Sequence, residues 1–297
     1  ADPRVADTFE PWQNCWKLRG GPSRSGTRAP AIPSSSSMAA RGAATKGGSW
    51  RSSCWMPGSG RSFPADLGIW TPRSLTTTAA SDLHAATLRA LGIDRAAVLC
   101  WSGGGPSTYR LAARHPAMVT AITALAALSH DYHWELGIDE KFMFGTRAGN
   151  HLIALMARHA PQQLVSATLQ AEGDLTKDEL AELTAHVFAD PTKREFVLGL
   201  AATVSHRGNR RDGMENDRAT FAAITDLRLQ DVKAPVLLVQ GDADTDVVPE
   251  YTQYAARHLP RSQRIDVALG THLAAFTADN SDDIQHQIVA FLRRPKS

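Results

Sequence analysis

A serine, a group of aspartates and a histidine are the residues of this sequence that could together perform nucleophilic catalysis. Ser102 lies in Trp-Ser-Gly-Gly-Gly-Pro, three aspartates lie in Gly-Asp-Ala-Asp-Thr-Asp at 241–246, and His272 lies in Gly-Thr-His-Leu. A serine hydroxyl becomes a good nucleophile when a histidine takes its proton and a carboxylate orients that histidine. A serine, an acid and a histidine that each follow a predicted strand, in that order along the chain, therefore indicate a nucleophilic serine more specifically than the turn around Ser102 alone.

The surroundings of Ser102 are typical of a nucleophile elbow, which is a sharp turn between a strand and a helix. An apolar run at 96–99 precedes the turn and a helical pattern follows it. The amide of Gly103 would lie at the N-terminus of that helix, where it can bind an oxyanion. Cys100 stands where the G-x-S-x-G pattern has its first glycine. The alternative is a glycine-rich turn that binds phosphate, but the spacings G-x-G-x-x-G and GK[ST] are missing from this stretch.

The groups that act with the serine are expected beyond the carboxyl ends of strands in an open parallel sheet. The three aspartates follow an apolar run at 234–240, and His272 follows a run at 264–269. Asp242, Asp244 and Asp246 are all candidates for the acid on this ground. Each of them is also a residue type that is common in turns.

The elements around these residues alternate between strands and helices, which predicts a mainly parallel sheet flanked by helices. The predicted helices are Thr78–Leu91, with Ser81 as a possible cap and Gly92 as its stop, Pro249–His258 and Ser281–Arg293, and the predicted strands are Ala96–Leu99, Val119–Leu128, Ala234–Gly241 and Arg264–Leu269.

A block of helices interrupts this alternation at about 130–231, and it is predicted to form a cap over the site. The predicted helices of the block are Glu140–Ala160, Thr176–Ala189, Pro191–Ser205 and Glu215–Asp226. Thr176 with Glu179 forms a capping-box pattern, and Asp190 before Pro191 is a good helix start. An ordinary helical layer is the alternative to a cap.

From about Leu75 to the C-terminus the sequence resembles the α/β-hydrolase fold superfamily. The matching motifs are Trp-Ser-Gly-Gly-Gly-Pro, Val-Leu-Leu-Val-Gln-Gly-Asp-Ala-Asp and Gly-Thr-His-Leu. The resemblance implies that Ser102 is the nucleophile, His272 the general base and the Gly103 amide an oxyanion donor. It favours Asp244 as the acid, because the acid of this family lies three residues after the strand-end glycine.

The resemblance also implies an activity. The expected protein is a serine hydrolase that cleaves a carboxylic ester or a related small-molecule acyl substrate through an acyl-enzyme, without a metal or cofactor. A peptidase of the proline-iminopeptidase kind fits the same elbow and helical cap. A catalytically impaired or non-catalytic binding protein of the same fold is the alternative from another class.

Residues 1–74 differ from the rest of the chain and are predicted to be irregular or disordered. The segment contains Pro-Ser-Ser-Ser-Ser and other Gly- and Ser-rich stretches, and it has no sustained period of 2 or 3.6. It also lacks the His-Gly-Gly-Pro-like loop that supplies the second oxyanion donor in the superfamily. The catalytic domain is therefore expected to span 75–297.

Out-of-frame translation would explain this segment. Reading it two bases along turns Ser34–Ser37 into apolar residues and lets 38–42 encode His-Gly-Gly-Pro-Gly. The same shift turns Gly58–Thr71 into a stretch close to Gly-Phe-Arg-x-Val-x-Pro-Ser-Arg-Pro-Gly-Tyr-Leu-Asp, which resembles the next strand and loop of the family. The hypothesis is that about 12–73 is out of frame, and it expects no regular strand there beside the Ala96 strand.

Composition sets further expectations. The chain has 297 residues, a formal net charge of +2 and 21% charged residues, so no general attraction to nucleic acid is expected. No apolar run approaches the roughly 20 residues of a membrane helix, and the N-terminus has no apolar signal-peptide core. The three cysteines form no metal-ligand spacing, so a reduced, cytoplasmic setting is expected. The oligomeric state is not predicted.

Overall fold

The computed structural model describes residues 53–55, 62–64, 76–135, 146–204 and 211–293. Most of the segment at 1–74 and the first part of the predicted helix Glu140–Ala160 lie outside the described residues.

A six-stranded sheet forms the centre of the molecule. Its strands are β1 (Ser53–Trp55), β2 (Ser62–Pro64), β3 (Ala96–Trp101), β4 (Val119–Leu125), β5 (Val236–Gly241) and β6 (Ser262–Val267). The spatial order is β2-β1-β3-β4-β5-β6, and β3 to β6 are parallel to one another. The predicted parallel sheet is confirmed.

Helices cover both faces of this sheet. In chain order they are α1 (Thr77–Ala90), α2 (Gly105–Arg114), α3 (Arg147–His159), α4 (Pro161–Ala171), α5 (Lys177–Ala189), α6 (Pro191–Val204), α7 (Arg211–Ala222), α8 (Pro249–His258), α9 (Ala274–Thr277) and α10 (Ser281–Arg293).

The two faces of the sheet bury separate hydrophobic cores. Val98 and Leu238 face the core formed with α1, α2 and α8, whereas Leu237 and Val239 face the core formed with α10 and the helices α4 to α6. Every residue of β3 and of β5 is buried. Strands covered on both faces have no need to alternate apolar and polar residues, which explains their continuous apolar sequence.

The start of α1 differs from its prediction in one detail. The N-cap is Thr76, whose Oγ1 accepts a hydrogen bond from the amide of Ala79 at 3.2 Å. Ser81 lies inside the helix, where its hydroxyl donates to the carbonyl of Thr78 at 2.7 Å, so the prediction that it caps the helix is wrong. Gly92 follows the helix with a φ of 71°, as expected for a residue that ends one.

The helices α3 to α7 lie between β4 and β5 in the chain, at the place of the predicted helical block. The capping box of Thr176 with Glu179 is observed at the start of α5. Asp190 caps α6, since its Oδ1 accepts from the amide of Thr192 at 2.7 Å. The helix α4 is absent from the sequence-based prediction, although Pro161 stands at its first position, which is a favoured place for proline.

Beside β3, at the edge of the parallel sheet, lie the two three-residue strands β1 and β2. Both pair antiparallel, and β1 covers the stretch Ala97–Leu99 of β3. The hypothesis of out-of-frame translation expects no regular strand here, so this pairing counts against it.

Candidate active site

Ser102 occupies a strained turn at the carboxyl end of β3. Its φ is 54°, a left-handed conformation that costs a non-glycine residue about 1–2 kcal/mol. A 3-10 turn over Ser102–Gly104 connects β3 to α2. The predicted succession of strand, sharp turn and helix is therefore observed, and the strain falls on the serine itself.

The residues around Ser102 hold this turn in place. The amide of Leu128 donates to the carbonyl of Ser102 at 3.1 Å. A Cβ atom on Gly103 would lie 3.0 Å from the ring of Phe221, so α7 approaches the turn closely at this point. The amide of Gly103 belongs to the first helical turn, whose N–H groups have no intrahelical acceptor and can bind an anion.

Cys100 is fully buried two residues before Ser102, where the elbow pattern has a glycine. Burial raises the pKa of the Cys100 thiol to about 12, because a buried thiolate would lose its hydration. The thiol therefore stays protonated at neutral pH and acts as a small apolar residue in the core.

Of the three candidate aspartates, Asp244 is the one that the structure joins to the Nδ1 atom of His272. The Oδ2 atom of Asp244 lies 2.9 Å from this nitrogen. The other oxygen, Oδ1, accepts from the amides of Asp246 and Val247, both at 2.9 Å. Gln240, which lies in the matching motif but to which the sequence assigns no role, donates from Nε2 to Oδ2 at 3.1 Å. These bonds fix the carboxylate in the orientation that His272 requires.

Close packing of two glycines brings the acid and the base together. A Cβ atom on Gly241, at the end of β5, would lie 2.1 Å from the carbonyl oxygen of Gly270. The amide of Ala243 donates to the same oxygen at 3.0 Å. The loops after β5 and β6 therefore cross at van der Waals contact, which is possible only without a side chain at Gly241.

His272 is held from several directions, and its side chain has no exposed surface. Its backbone amide donates to the carbonyl of Glu172 at the end of α4, at 2.8 Å. The ring stacks on Trp101 with 5.6 Å between ring centroids, and Trp101 Nε1 donates to the carbonyl of His272 at 3.3 Å. Because Trp101 is the neighbour of Ser102 in the chain, the histidine lies close to the elbow.

The charge of His272 depends on three carboxylates. Burial by itself lowers the pKa of His272, because a buried imidazolium loses its hydration. The negative charge of Asp246 and the hydrogen bond with Asp244 outweigh burial and raise the pKa of His272 to about 9. The charge of Glu172 acts in the same direction.

Asp246 lies on the other side of the ring from Asp244. Its Oδ2 atom is 3.4 Å from His272 Nε2. Its Oδ1 atom and its carbonyl oxygen both accept from the hydroxyl of Tyr132, each at 3.0 Å. The aspartate spacing of the sequence indicated candidate carboxylates here, whereas no sequence signal connects Tyr132 with them, since it is 114 residues away.

In the described ranges, one group of three side chains has potential metal-ligand atoms within 4.8 Å of one another. It consists of Glu172, Asp246 and His272. His272 Nδ1 is bonded to Asp244 and the two carboxylates compensate the charge of the ring. We therefore assign this group to the charge balance of the histidine.

None of the described helices is long and apolar enough to cross a membrane.

The structure thus joins two of the predicted site residues directly, Asp244 and His272, and places Ser102 and Gly103 at the carboxyl end of β3, which β4 separates from β5. The loop expected to supply a second oxyanion donor would precede β3, and its predicted position at 38–42 lies outside the described residues.

Comparisons with known proteins identify the fold family of the chain. The family described as "alpha/beta hydrolase fold" matches residues 56–279. An α/β-hydrolase fold protein from Nakamurella multipartita is 45% identical over 73% of this chain and 76% of its own, with a TM-score of 0.71. No curated protein matches the chain.

More distant solved structures share the fold. An α/β-hydrolase enzyme from a Medee basin deep-sea metagenome library is 16% identical, with a TM-score of 0.53 over 76% of this chain and 75% of its own. The enol-lactonase from Burkholderia xenovorans LB400 is also 16% identical, with a TM-score of 0.52 over 76% of each chain.

Proposed function

Because this chain belongs to the α/β-hydrolase fold family, we propose that it is a serine hydrolase that cleaves a carboxylic ester or a related acyl substrate through an acyl-enzyme on Ser102. The observation that supports this most is the buried Asp244–His272 pair. The His272 ring stacks on Trp101, and the next residue in the chain is Ser102, which lies in a strained strand-to-helix turn. Strained dihedrals persist where the surrounding structure enforces them, and they cluster at functional sites.

The proposed reaction follows from the roles of the three side chains. Ser102 Oγ attacks the carbonyl carbon of the substrate while His272 Nε2 takes the hydroxyl proton. The tetrahedral intermediate then collapses, the C–O bond to the alcohol breaks, and His272 returns the proton to the leaving oxygen. His272 then takes a proton from water as the water attacks the acyl carbon, the bond from that carbon to Ser102 Oγ breaks, and His272 returns the proton to Oγ as the acid leaves. Asp244 keeps the ring oriented and stabilises its charged form throughout.

The Gly103 amide is the proposed donor to the oxyanion that forms in both steps. It stands in the first turn before α2, where the helix dipole favours negative charge. Preorganised donors of this kind act strongly because they need no reorientation when the charge develops.

A panel of substrates tests the proposal and its alternative. We expect the wild-type protein to hydrolyse p-nitrophenyl acetate faster than prolyl p-nitroanilide, and we expect the Ser102→Ala variant to hydrolyse neither. Preference for the prolyl amide would favour a peptidase of the proline-iminopeptidase kind, which also fits the elbow and the helices between β4 and β5. A folded wild-type protein that turns over no acyl substrate would contradict both and favour a non-catalytic binding protein.

A further inference from the structure

His272 lies between two carboxylates, of which the proposed reaction uses one. Asp244 Oδ2 is 2.9 Å from Nδ1, and Asp246 Oδ2 is 3.4 Å from Nε2. A serine hydrolase needs Nε2 to accept the serine proton, so the nitrogen next to Asp246 is the reactive one. A carboxylate there favours a proton on Nε2, which is the state that cannot act as a base.

The position of Asp246 is fixed from outside its own loop. The hydroxyl of Tyr132 donates both to Asp246 Oδ1 and to its carbonyl oxygen. The amide of Tyr132 donates in turn to the carbonyl of Phe221 at 3.2 Å, and the ring of Phe221 packs against Gly103. Tyr132 therefore connects Asp246 to the helix that borders the elbow.

Tyr132 can act only as a donor in this contact at ordinary pH. Burial, and then the negative charge of Asp246, raise the pKa of the Tyr132 hydroxyl above its ordinary value. Its proton is retained over the whole range in which the enzyme would be assayed. The contact therefore joins a neutral hydroxyl to the Asp246 carboxylate, and no charged phenolate forms that would repel Asp246 from its place beside His272.

We propose that Asp246 is a positioning residue that occupies the Nε2 side of His272 in the resting protein and so competes with Ser102 for the nitrogen that must accept its proton. This inference rests on the proposed serine hydrolase function. Productive binding then requires that Asp246 give up its contact with Nε2, and the neutral histidine is the active form.

The charged groups around the ring make the direction of the pH dependence clear. The loop after β5 contributes Asp244 and Asp246, and the end of α4 contributes Glu172, while the ring of Trp101 that stacks on the imidazole is uncharged. All three carboxylates favour the imidazolium. Since the pKa of His272 is raised to about 9, most of the protein holds it protonated at pH 7. Activity should therefore increase as the pH rises towards that value.

The pH profile of kcat/KM for p-nitrophenyl acetate tests the role of Asp246. In the Asp246→Asn variant we expect the acid limb to move to lower pH by about 1–3 units, the shift that one charge at this distance produces. Turnover at pH 7 should then rise about tenfold or more. Tyr132→Phe, which keeps the carboxylate but removes its hydrogen bond, should give a smaller shift in the same direction.

Asp266→Asn is the matched control, because Asp266 is an exposed carboxylate that pairs with Arg264 on β6. Its profile should coincide with that of the wild type. An NMR titration of the His272 ring, assigned with His272→Gln, gives a readout that does not depend on turnover and should show the same downward shift in Asp246→Asn.

The outcomes separate this inference from the proposed function. If turnover depends on Ser102 but Asp246→Asn leaves both the acid limb and the His272 titration in place, the inference is wrong and the proposed function stands. A loss of activity at every pH with an unchanged His272 titration would also contradict it. If no variant shows turnover that depends on Ser102, the proposed function fails and the inference fails with it.

Discussion

Each ring nitrogen of His272 faces a carboxylate, and the two carboxylates differ in how they are held and in their expected effect on catalysis. Asp244 is fixed by two backbone amides and Gln240, so it can hold Nδ1 without moving during the reaction. The carboxylate of Asp246 instead accepts from a tyrosine hydroxyl that belongs to another part of the chain. We expect the first carboxylate to support catalysis and the second to restrain it.

Replacing the Nδ1 partner should therefore be far more damaging than replacing the Nε2 partner. In Asp244→Asn the amide cannot stabilise the imidazolium and can favour the wrong tautomer, so we expect kcat for an ester to fall by about 10⁴-fold. Steady-state kinetics checks this, with Asp266→Asn as the variant that should keep wild-type turnover. A fall of less than tenfold would show that Asp244 is not the acid.

The sequence indicated the residue types of the site but not every contact among them. Ser102 and His272 could be singled out because each follows a strand and has few competitors at such a position. Three aspartates in one hexapeptide could not be separated by local pattern, since the loop conformation decides which carboxylate reaches which nitrogen. Asp246 and Tyr132 are 114 residues apart, and their contact depends on the tertiary structure alone.

At the level of elements, hydrophobic pattern and caps predicted most of what is observed. Pro249–His258 and Ser281–Arg293 are helices with the predicted bounds. The missed helix α4 is preceded by a single connecting residue, Ala160, after α3. When two helices are joined by one residue, the sequence pattern predicts a single helix that ends at the junction. Pro161 is the one residue that indicates the start of a second helix.

The crossing of the loops after β5 and β6 is the element-level feature on which the site depends most. In Gly241→Ala the new Cβ would lie 2.1 Å from the Gly270 carbonyl, so the loops must separate. We expect a loss of about 1–3 kcal/mol in the free energy of unfolding. We also expect about a 10²-fold fall in turnover, because acid and base are displaced.

Gly92→Ala is the control for this variant. Gly92 has a positive φ of 71°, and an added Cβ there would meet no atom within 4 Å, so only the backbone conformation is penalised. The variant should lose about 1 kcal/mol of stability and keep its turnover. Denaturant unfolding and ester kinetics on both variants check the pair, and equal turnover of Gly241→Ala and wild type would refute the role of the crossing.

At the scale of the whole molecule, the N-terminal part of the chain determines what pairs with the edge of β3. The edge of β3 is paired by the three-residue antiparallel strand β1. The match to the family begins at residue 56, which is earlier than the boundary near 75 expected from composition. Composition could indicate that the N-terminal part differs from the rest, but it could not indicate short strands within it.

The hypothesis that about 12–73 derives from an out-of-frame reading expects no regular strand beside β3, whereas β1 is observed there. The hypothesis also makes a separate prediction that expression can test. A chain with the alternative frame restored would regain the His-Gly-Gly-Pro-like loop and a second oxyanion donor. One such donor contributes about 2.7–4 kcal/mol, so restored protein should turn over an ester roughly 10²- to 10³-fold faster. It should also be more soluble, since a longer strand would cover the edge of β3.

Expressing both versions side by side and measuring soluble yield and turnover decides this point. Equal yield and equal turnover would mean that the segment is genuine and that the oxyanion hole is completed in another way. Peptides from the native protein that match 34–70 as written would contradict the hypothesis directly.

Covalent labelling with a fluorophosphonate tests the central claim, that Ser102 is an activated nucleophile. Intact mass spectrometry of the wild-type protein should show a single adduct, and peptide mapping should place it on Ser102. Ser102→Ala should show no adduct, and His272→Gln should label far more slowly because the base is lost. An adduct that persists in Ser102→Ala, or a folded wild-type protein that takes up no probe, would contradict the account.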